Sequence, residues 1–264
     1  MTRRVRLDQL LVERGLVESR AKAQALIRAG QVLVDGRVVD KPGTLVPVDV
    51  GIALREKPRY VSRGGDKLEA ALRAFGVDPR GKVCLDIGAS TGGFTDCLLQ
   101  HGAARVHAVD VGKGLLHWKL RNDPRVLVHE GVNARYLRPE DIGEPVELVT
   151  IDVSFISLRL ILPALHGIVV PGGDVIALVK PQFEAGRGRV GKGGVVRDPG
   201  VHREVLEGIT RFAVERLGWS VAGAVRSPLR GPAGNVEFFL HLLPRPGVSV
   251  PIDWDAVISP PGAG

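Results

Sequence analysis

From residue 82 onward, short apolar segments alternate with segments typical of helices, and this alternation restricts the possible folds more than any other feature. The longest predicted helix runs from Pro199 to Leu217 behind an Asp198 N-cap. Strands separated by helices run parallel in one sheet, so the pattern predicts an α/β fold with helices on both faces. Two late strands have only a turn between them and should be antiparallel. The predicted strands of this seven-stranded, mostly parallel sheet are 83–87, 106–109, 126–128, 148–151, 175–179, 221–226 and 235–242.

A glycine-rich segment joins the first of these strands to the next helix. It reads Asp86-Ile87-Gly88-Ala89-Ser90-Thr91-Gly92-Gly93-Phe94-Thr95. Glycine lets the backbone approach a ligand closely, and ligands bind at the carboxyl ends of strands in open α/β sheets. The Gly-x-x-x-Gly-Gly spacing differs from the Gly-x-Gly-x-x-Gly of dinucleotide sites. Asp110 ends the second strand, where a carboxylate can accept both hydroxyls of an adenosine ribose.

Four charged residues stand at the ends of predicted elements. Lys67 begins the helix before the first strand, Asp152 ends the fourth strand and Lys180 ends the fifth. Glu237 is placed within the last strand, between apolar neighbours. A charge in an apolar run is costly unless it is paired or used, so we expect these side chains to meet at one edge of the sheet.

The N-terminal part of the chain is a separate basic unit. The whole chain has a formal net charge of +7, and residues 1–60 hold 12 Lys and Arg against 7 Asp and Glu. A basic segment on a nearly neutral body suggests contact with a polyanion. Its pattern predicts two helices, an Asp35-Gly36 hairpin and a further strand over 46–54, an α+β arrangement.

Composition changes mark the domain boundaries. We place the basic domain at 4–56, a linker at 57–62 and the α/β domain at 63–243. The remainder, 244–264, is rich in Pro and Gly and is expected to be loosely ordered.

A second glycine-rich segment follows Lys180 and spans residues 186–194. It carries Arg187, Arg189 and Lys192, so it is flexible and basic. We expect a loop that closes over RNA phosphates.

The first glycine-rich motif, Asp-x-Gly-x-x-x-Gly-Gly-Phe, resembles that of class I methyltransferases, in particular the FtsJ-like ribose methyltransferases. The resemblance implies a Rossmann-like methyltransferase domain that uses S-adenosylmethionine. The Lys67, Asp152, Lys180 and Glu237 order is similar to the catalytic tetrad of that family, which methylates ribose 2′-hydroxyls. The resemblance implies that these residues align the hydroxyl and that Lys180 is the base that removes its proton. The cofactor-binding residues that it implies are Asp86, Gly88, Ser90, Thr91, Gly92, Gly93, Phe94, Thr95, Asp110, Asn133 and Asp152.

The basic domain is similar to the RNA-binding domain of the ribosomal-protein-S-four type. Together with the phrases at residues 60–68 and 193–199, the arrangement resembles the TlyA family of ribosomal RNA 2′-O-methyltransferases, often labelled hemolysins. This implies methylation of a cytidine ribose in ribosomal RNA, within ribosomal subunits. The RNA contacts that it implies outside the second glycine-rich segment are Arg6, Arg20, Lys22, Arg28 and Arg63.

Three other functions remain open at this point. An RNA base methyltransferase could use the same fold, although residues 152–155 lack the prolines of amino-group methylases. A cytosine C5 enzyme needs a nucleophilic cysteine, and Cys84 and Cys97 are both predicted to lie in the core. The hemolysin label suggests a membrane-lytic protein, and an RNA-binding factor without catalysis is the third alternative.

Several features are not indicated. The chain starts Met1-Thr2-Arg3-Arg4 without an apolar segment, so we expect no secretory signal and a cytoplasmic location. The apolar stretch 160–173 contains two prolines and is too short to span a membrane. The histidines show no zinc spacing, so no metal site is predicted.

Overall fold

The computed structural model describes residues 3–55 and 58–259, and the chain separates into two compact units between Pro58 and Arg59. The first unit is a small α+β domain, as predicted. β1 and β4 form an antiparallel pair, and β2 lies between β3 and β5 in a second antiparallel sheet. Its elements are β1 Arg4–Arg6, α1 Leu7–Glu13, α2 Arg20–Arg28, β2 Val32–Val34, β3 Arg37–Val38, β4 Leu45–Pro47 and β5 Ile52–Leu54.

Local sequence signals account for most of this domain. The Ser19 hydroxyl caps α2 by accepting the Lys22 amide, and the Asp35-Gly36 turn has positive φ at both positions, as such a hairpin requires. One prediction is wrong: residues 46–54 do not form a single strand. The chain turns after Pro47, so that β4 and β5 join different sheets.

The second unit contains a seven-stranded sheet in the order β11-β12-β10-β9-β6-β7-β8. Strands β6 to β10 pair in parallel, while β12 runs antiparallel to both β10 and β11. The mostly parallel sheet with a late antiparallel pair is confirmed. Its strands are β6 Val83–Ile87, β7 Arg105–Asp110, β8 Val126–Glu130, β9 Val146–Ile151, β10 Val169–Val179, β11 Ser220–Arg226 and β12 Phe238–Leu243.

Helices cover both faces of the sheet. α3 and α4 bury Leu68, Leu72 and Leu98 on one face, and α7 and α9 bury Ile161 and Leu206 on the other. The α-helices are α3 Gly64–Phe75, α4 Gly93–Gln100, α5 Trp118–Arg121, α6 Pro139–Ile142, α7 Leu158–Ile161, α8 Pro181–Glu184, α9 Pro199–Leu217 and α10 Trp254–Ile258. Short 3₁₀ helices span Ala134–Tyr136, Leu162–Leu165 and Arg187–Arg189.

The predicted linker 57–62 is only partly described, because residue 57 lies outside the described ranges. From Arg59 onward it belongs to the second unit. Tyr60 is 3% exposed and its ring leaves no room for a side chain at Gly65 in α3. The Val61 amide donates to the Asp96 carboxylate of α4 at 2.9 Å.

The C-terminal residues, predicted to be loosely ordered, make contacts within the second unit. Up to residue 259 they pack on the second unit, and α10 buries Ile258 against the main core. The Val250 amide donates to the Val221 carbonyl of β11 at 2.9 Å. Residues 260–264, which are also predicted to be loosely ordered, lie outside the described residues.

Candidate active site

The glycine-rich segment after β6 passes unusually close to the end of β9. Gly88 has a φ of +82°, and a Cβ there would lie 2.3 Å from the Asp152 carbonyl oxygen. A Cβ at Gly93 would likewise meet the Ser62 hydroxyl at 2.2 Å. Glycine is therefore required for backbone contact at Gly88 and for close packing at Gly93.

Two cavities adjoin at this segment, and Gly88, Ser90 and Asp152 line both of them. The first cavity, of about 270 Å³, is also lined by Arg63, Lys67, Thr91, Gly93, Phe94, Lys180, Pro232 and Glu237. The second cavity, of about 370 Å³, is more apolar and includes Asp110, Leu115, Asn133 and Phe155. Because these three residues are shared, one ligand could extend from the more apolar cavity into the more polar one.

Asp110 organises the entrance to the second cavity. One carboxylate oxygen accepts the Ser90 amide at 2.7 Å, and the other accepts the Gly112 amide at 2.7 Å. Ser90 has a positive φ of 50°, which this bond helps to hold. Asn133 lies across the same cavity, where its side chain caps the 3₁₀ helix that follows β8.

Asp86 and Thr95 lie beneath the segment and have no exposed surface. The Thr95 hydroxyl donates to Asp86 at 2.7 Å, and the Thr150 hydroxyl does so at 3.2 Å. Their burial places them as supports of the segment, and direct contact with a cofactor stays a prediction for both.

Burial raises the pKa of Asp86 to about 7, and the nearby Asp152 charge adds to this effect. The folded state then holds a proton that the unfolded chain releases above about pH 4. We therefore expect the free energy of unfolding to fall as pH rises from about 4 to above 7, with Asp86→Asn reducing that slope. The tryptophans Trp118, Trp219 and Trp254 all lie in the second unit, so urea unfolding followed by their fluorescence measures it. Asp123→Asn is the control, because Arg125 lowers the pKa of that carboxyl; equal slopes in all three proteins would contradict the prediction.

The four predicted catalytic residues converge on the first cavity as two ion pairs. Lys67 Nζ donates to Glu237 Oε2 at 2.6 Å, and both side chains are buried. Lys180 Nζ lies 2.6 Å from Asp152 Oδ1 and donates to the Ser154 hydroxyl at 2.9 Å. One placement is corrected: Glu237 directly precedes β12, at the end of the eleven-residue connection 227–237 that replaces the predicted turn.

The second carboxylate oxygen of Glu237 is available as a hydrogen-bond acceptor. Its Oε1 is buried and has no hydrogen-bond partner among residues 3–55 and 58–259. A Cβ at Gly231 would lie 2.4 Å from this atom, so the glycine leaves the space that Oε1 occupies. A buried unpaired carboxylate oxygen at a cavity wall is able to accept a hydrogen bond from a ligand or a water molecule.

An exposed aromatic side chain stands at the cavity mouth. Phe155 is 89% exposed, has a φ of +63° and lies 4.8 Å from the Phe183 ring. Positive φ is strained for a bulky residue and persists only where the surroundings enforce it. Two residues further along the same loop, the Glu184 carboxylate accepts the Ser157 hydroxyl and the Leu158 amide, each at 2.7 Å. The loops after β9 and β10 are thus held together.

The sequence patterns did not identify these loop residues. Ser154, Phe155 and Glu184 lie outside the helical and strand periodicities that reveal core positions, and their roles depend on two loops meeting in space. The available signal was the position of residues 154 and 155 directly after a charged strand end.

The two cysteines do not serve this site as nucleophiles. Cys84 and Cys97 are fully buried, and burial raises the pKa of each thiol to about 12. Among the described residues, no three His, Cys, Asp or Glu side chains come together in a way that could hold a metal ion. No helix within those residues is both long and apolar enough to cross a membrane.

The predicted RNA-binding residues fall into separate groups. In the first unit, Arg6 and Arg20 both bind Asp8, while Lys22 pairs with Glu18 at 3.2 Å. Arg28 ends α2. In the second unit, Arg63 lines the first cavity.

The second glycine-rich segment is more structured than expected. It contains a 3₁₀ turn and a bridge between Gly191 and Val195, and the buried Asn235 side chain accepts the Val196 amide and donates to the Gly194 carbonyl, each at 2.9 Å. Arg189 contacts Glu204 and Lys192 is exposed; the Arg187 side chain lies outside the described part of the structure.

Each of the two units matches a known protein family. Residues 60–243 match the model of the FtsJ-like methyltransferases, and residues 5–51 match the S4 domain. The chain is 52% identical to the 16S/23S rRNA (cytidine-2'-O)-methyltransferase TlyA of Mycobacterium tuberculosis, over 92% of this chain and 91% of that protein. It is 42% identical to Hemolysin A of Brachyspira hyodysenteriae, over 90% of this chain and all of the relative.

A solved structure of a Streptococcus thermophilus protein described as a hemolysin shares the architecture. It superposes with a TM-score of 0.75 at 48% identity and covers 98% of this chain and 95% of its own. A catalytic-domain match over most of the chain and relatives of this similarity are sufficient to assign a family. The chain belongs to the FtsJ-like methyltransferases, in the group related to TlyA that carries an S4 domain at the N-terminus.

Proposed function

We propose that this protein transfers a methyl group from S-adenosylmethionine to a ribose 2′-hydroxyl, on a cytidine of ribosomal RNA. The observation that carries the proposal is the convergence of two lysine–carboxylate pairs on one cavity beside the glycine-rich segment. The name of the Mycobacterium tuberculosis relative supports the choice of atom and nucleotide. The substrate is then RNA within ribosomal subunits, and the site of action is the cytoplasm.

The residues present fit S-adenosylmethionine. Gly88, Ser90 and Asp152 line both cavities, so one ligand can extend through them, and the free Glu237 oxygen can accept an ammonium donor. Asp110 would hold the ribose hydroxyls, and Asn133 would contact the adenine. Bound there, S-adenosylmethionine supplies an electrophilic sulfonium methyl group.

The protein's own task is to place a hydroxyl and take its proton. Lys180 Nζ accepts the proton of the 2′-hydroxyl. Asp152 and Ser154 then stabilise the ammonium that forms, because both already lie within hydrogen-bond distance of Nζ. The Lys67 ammonium, fixed by Glu237, adds positive charge to the same cavity and stabilises the developing oxyanion.

The S4 domain would bind the RNA backbone through Arg6, Arg20, Lys22 and Arg28. Phosphate contacts of this kind give position and affinity without reading sequence. Arg63 and the segment with Arg187, Arg189 and Lys192 would continue the contact near the active site.

We expect the Phe155 ring to stack on an RNA base, because the target nucleotide must unstack from its neighbouring bases before its ribose can enter a cavity. We expect Phe155→Ala to lower kcat/KM for RNA by about 5- to 150-fold, the value of about 1–3 kcal/mol for one stacked base. Steady-state methylation of ribosomal subunits measures this. Phe155→Tyr keeps the ring and should stay near the wild type; equal kcat/KM for the alanine variant would contradict the role.

Ribose-methylation mapping tests the function as a whole. Ribosomal RNA from cells with and without this protein is digested to nucleosides, and the methylated product is located by mass spectrometry. A ribose-methylated cytidine that depends on the protein and is lost with Lys180→Arg supports the proposal. A methyl on the base would favour the base methyltransferase, and unchanged RNA would favour a binding factor without catalysis.

A further inference from the structure

A buried carboxylate lies among the predicted RNA-binding arginines of the S4 domain. Asp8, in the first turn of α1, has no exposed surface. Arg6 donates to both of its oxygens, from Nε at 3.0 Å and from Nη2 at 2.9 Å. Arg20 Nε donates at 3.0 Å and Gln24 Nε2 at 2.9 Å. These bonds, Arg6 foremost, hold the pKa of Asp8 well below its usual range, so the group is a carboxylate at neutral pH.

These bonds leave other N–H donors of both arginines available for a ligand. Arg6 engages Asp8 through Nε and Nη2, and Arg20 does so through Nε alone. Within the described ranges, Nη1 of Arg6 and both Nη atoms of Arg20 have no hydrogen-bond partner, and the side chains are 40% and 50% exposed. Gly43 packs closely against the Arg6 guanidinium, since a Cβ at this glycine would lie 3.2 Å from Arg6 Nη1.

One negative charge thus fixes two guanidinium groups and leaves a net positive charge with free donors. Guanidinium edges bind phosphate oxygens through paired, charge-assisted hydrogen bonds. Long side chains that are already ordered lose less freedom when they bind, so affinity increases.

We infer that Asp8 is a positioning residue, which presets Arg6 and Arg20 to bind RNA phosphates without touching the RNA itself. The inference rests on the proposed RNA binding by the S4 domain and adds a role for an acidic residue within a basic surface.

The substitution Asp8→Asn separates positioning from simple charge. It removes a negative charge, so electrostatic attraction alone predicts tighter binding of RNA. It also presents an amide N–H group to arginine donors, which disorders them. We therefore expect Kd for RNA to rise by at least about fivefold, because the side chains of Arg6 and Arg20 are no longer held in place before binding. The probe is deproteinised ribosomal RNA, with Kd measured by filter binding of the full chain at several KCl concentrations.

Asp49→Asn is the matched control. Asp49 is an exposed acidic residue of the same domain that makes no ion pair with the described residues, so its substitution changes the charge equally. Its Kd should stay the same or fall. An Asp8→Asn protein that binds RNA as tightly as Asp49→Asn does would overturn the inference.

A double-mutant cycle distinguishes positioning from a structural role. In an Arg6→Ala/Arg20→Ala background, Asp8→Asn should cause no further loss of affinity, because it acts through those side chains. A further loss of the same size would assign Asp8 to general folding. If the two alanines alone leave Kd unchanged, the proposed RNA contacts fail, which is a different result from failure of the positioning role.

Should Asp8→Asn fail to fold, which circular dichroism would reveal, Gly43→Ala provides a second test. The added methyl group would lie 3.2 Å from Arg6 Nη1 and would shift that guanidinium without altering the charge, so weaker RNA binding is expected. Unchanged binding by a folded Gly43→Ala protein would then count against the inference.

Discussion

Lys180→Ala is expected to slow methyl transfer by about 100- to 10,000-fold, the usual contribution of a general base. Binding of S-adenosylmethionine should change little, because its proposed contacts are centred on the glycine-rich segment and Asp110. Single-turnover transfer of a radiolabelled methyl group to ribosomal subunits measures the rate, and calorimetry measures cofactor binding. Full transfer by Lys180→Ala would refute Lys180 as the base even though the family assignment stands.

Lys180→Arg distinguishes proton transfer from charge. Arginine can keep the pairing with Asp152, but its guanidinium does not lose a proton in proteins. We expect this variant to be as slow as Lys180→Ala, whereas a purely electrostatic role predicts substantial rescue. Lys82→Ala is the control, since Lys82 is also ion-paired, at 3.2 Å from Asp174, but stands before β6 at the opposite edge of the sheet.

Gly88→Ala is expected to lower kcat/KM by about 100-fold or more, with weaker cofactor binding as one component. A methyl group at this position would lie 2.3 Å from the Asp152 carbonyl oxygen, so the backbone at the end of β9 must move. Displacement of a catalytic group by about 1 Å can cost about 100-fold in rate. The backbone φ of +82° adds strain for any residue with a Cβ.

Two other glycines separate these causes. Gly76 has a φ of +66° with no atom near its missing Cβ, so Gly76→Ala introduces the strain alone. Gly172 has neither feature, so Gly172→Ala should behave as the wild type. Calorimetric titration with S-adenosylmethionine and single-turnover rates apply to all three variants. Equal results for Gly88→Ala and Gly76→Ala would show that contact with Asp152 does not matter.

The sheet and the convergence of charged residues were predictable because their signals are local. Strand ends are marked by the change from apolar to charged residues, as at Asp152 and Lys180. Parallel strands then bring their carboxyl ends to one edge without any further information. For this reason the ion pairs of the first cavity involve the residues that the pattern selected. Their catalytic roles stay predictions.

Features that depend on tertiary contacts were not predictable in this way. The turn that divides residues 46–54 is set by pairing of its two halves with strands in different sheets. The link between the loops after β9 and β10 depends on Glu184, which lies 27 residues from its partner Ser157. The role of Asp8 was not predicted, because Arg20 and Gln24 reach its carboxylate only when α2 packs on α1.

The C-terminal segment has a consequence for how the domain behaves in solution. β11 ends the sheet order, so one side of its backbone has no neighbouring strand. Residues 249 and 250 occupy that side through bonds to Val221, and α10 follows close behind. The family match stops at residue 243, before this cover begins. A fragment cut at that point would expose a row of unpaired amides and carbonyls, which recruits strands from other molecules. In the intact chain, residues 249 and 250 instead satisfy the backbone groups of Val221 at this edge.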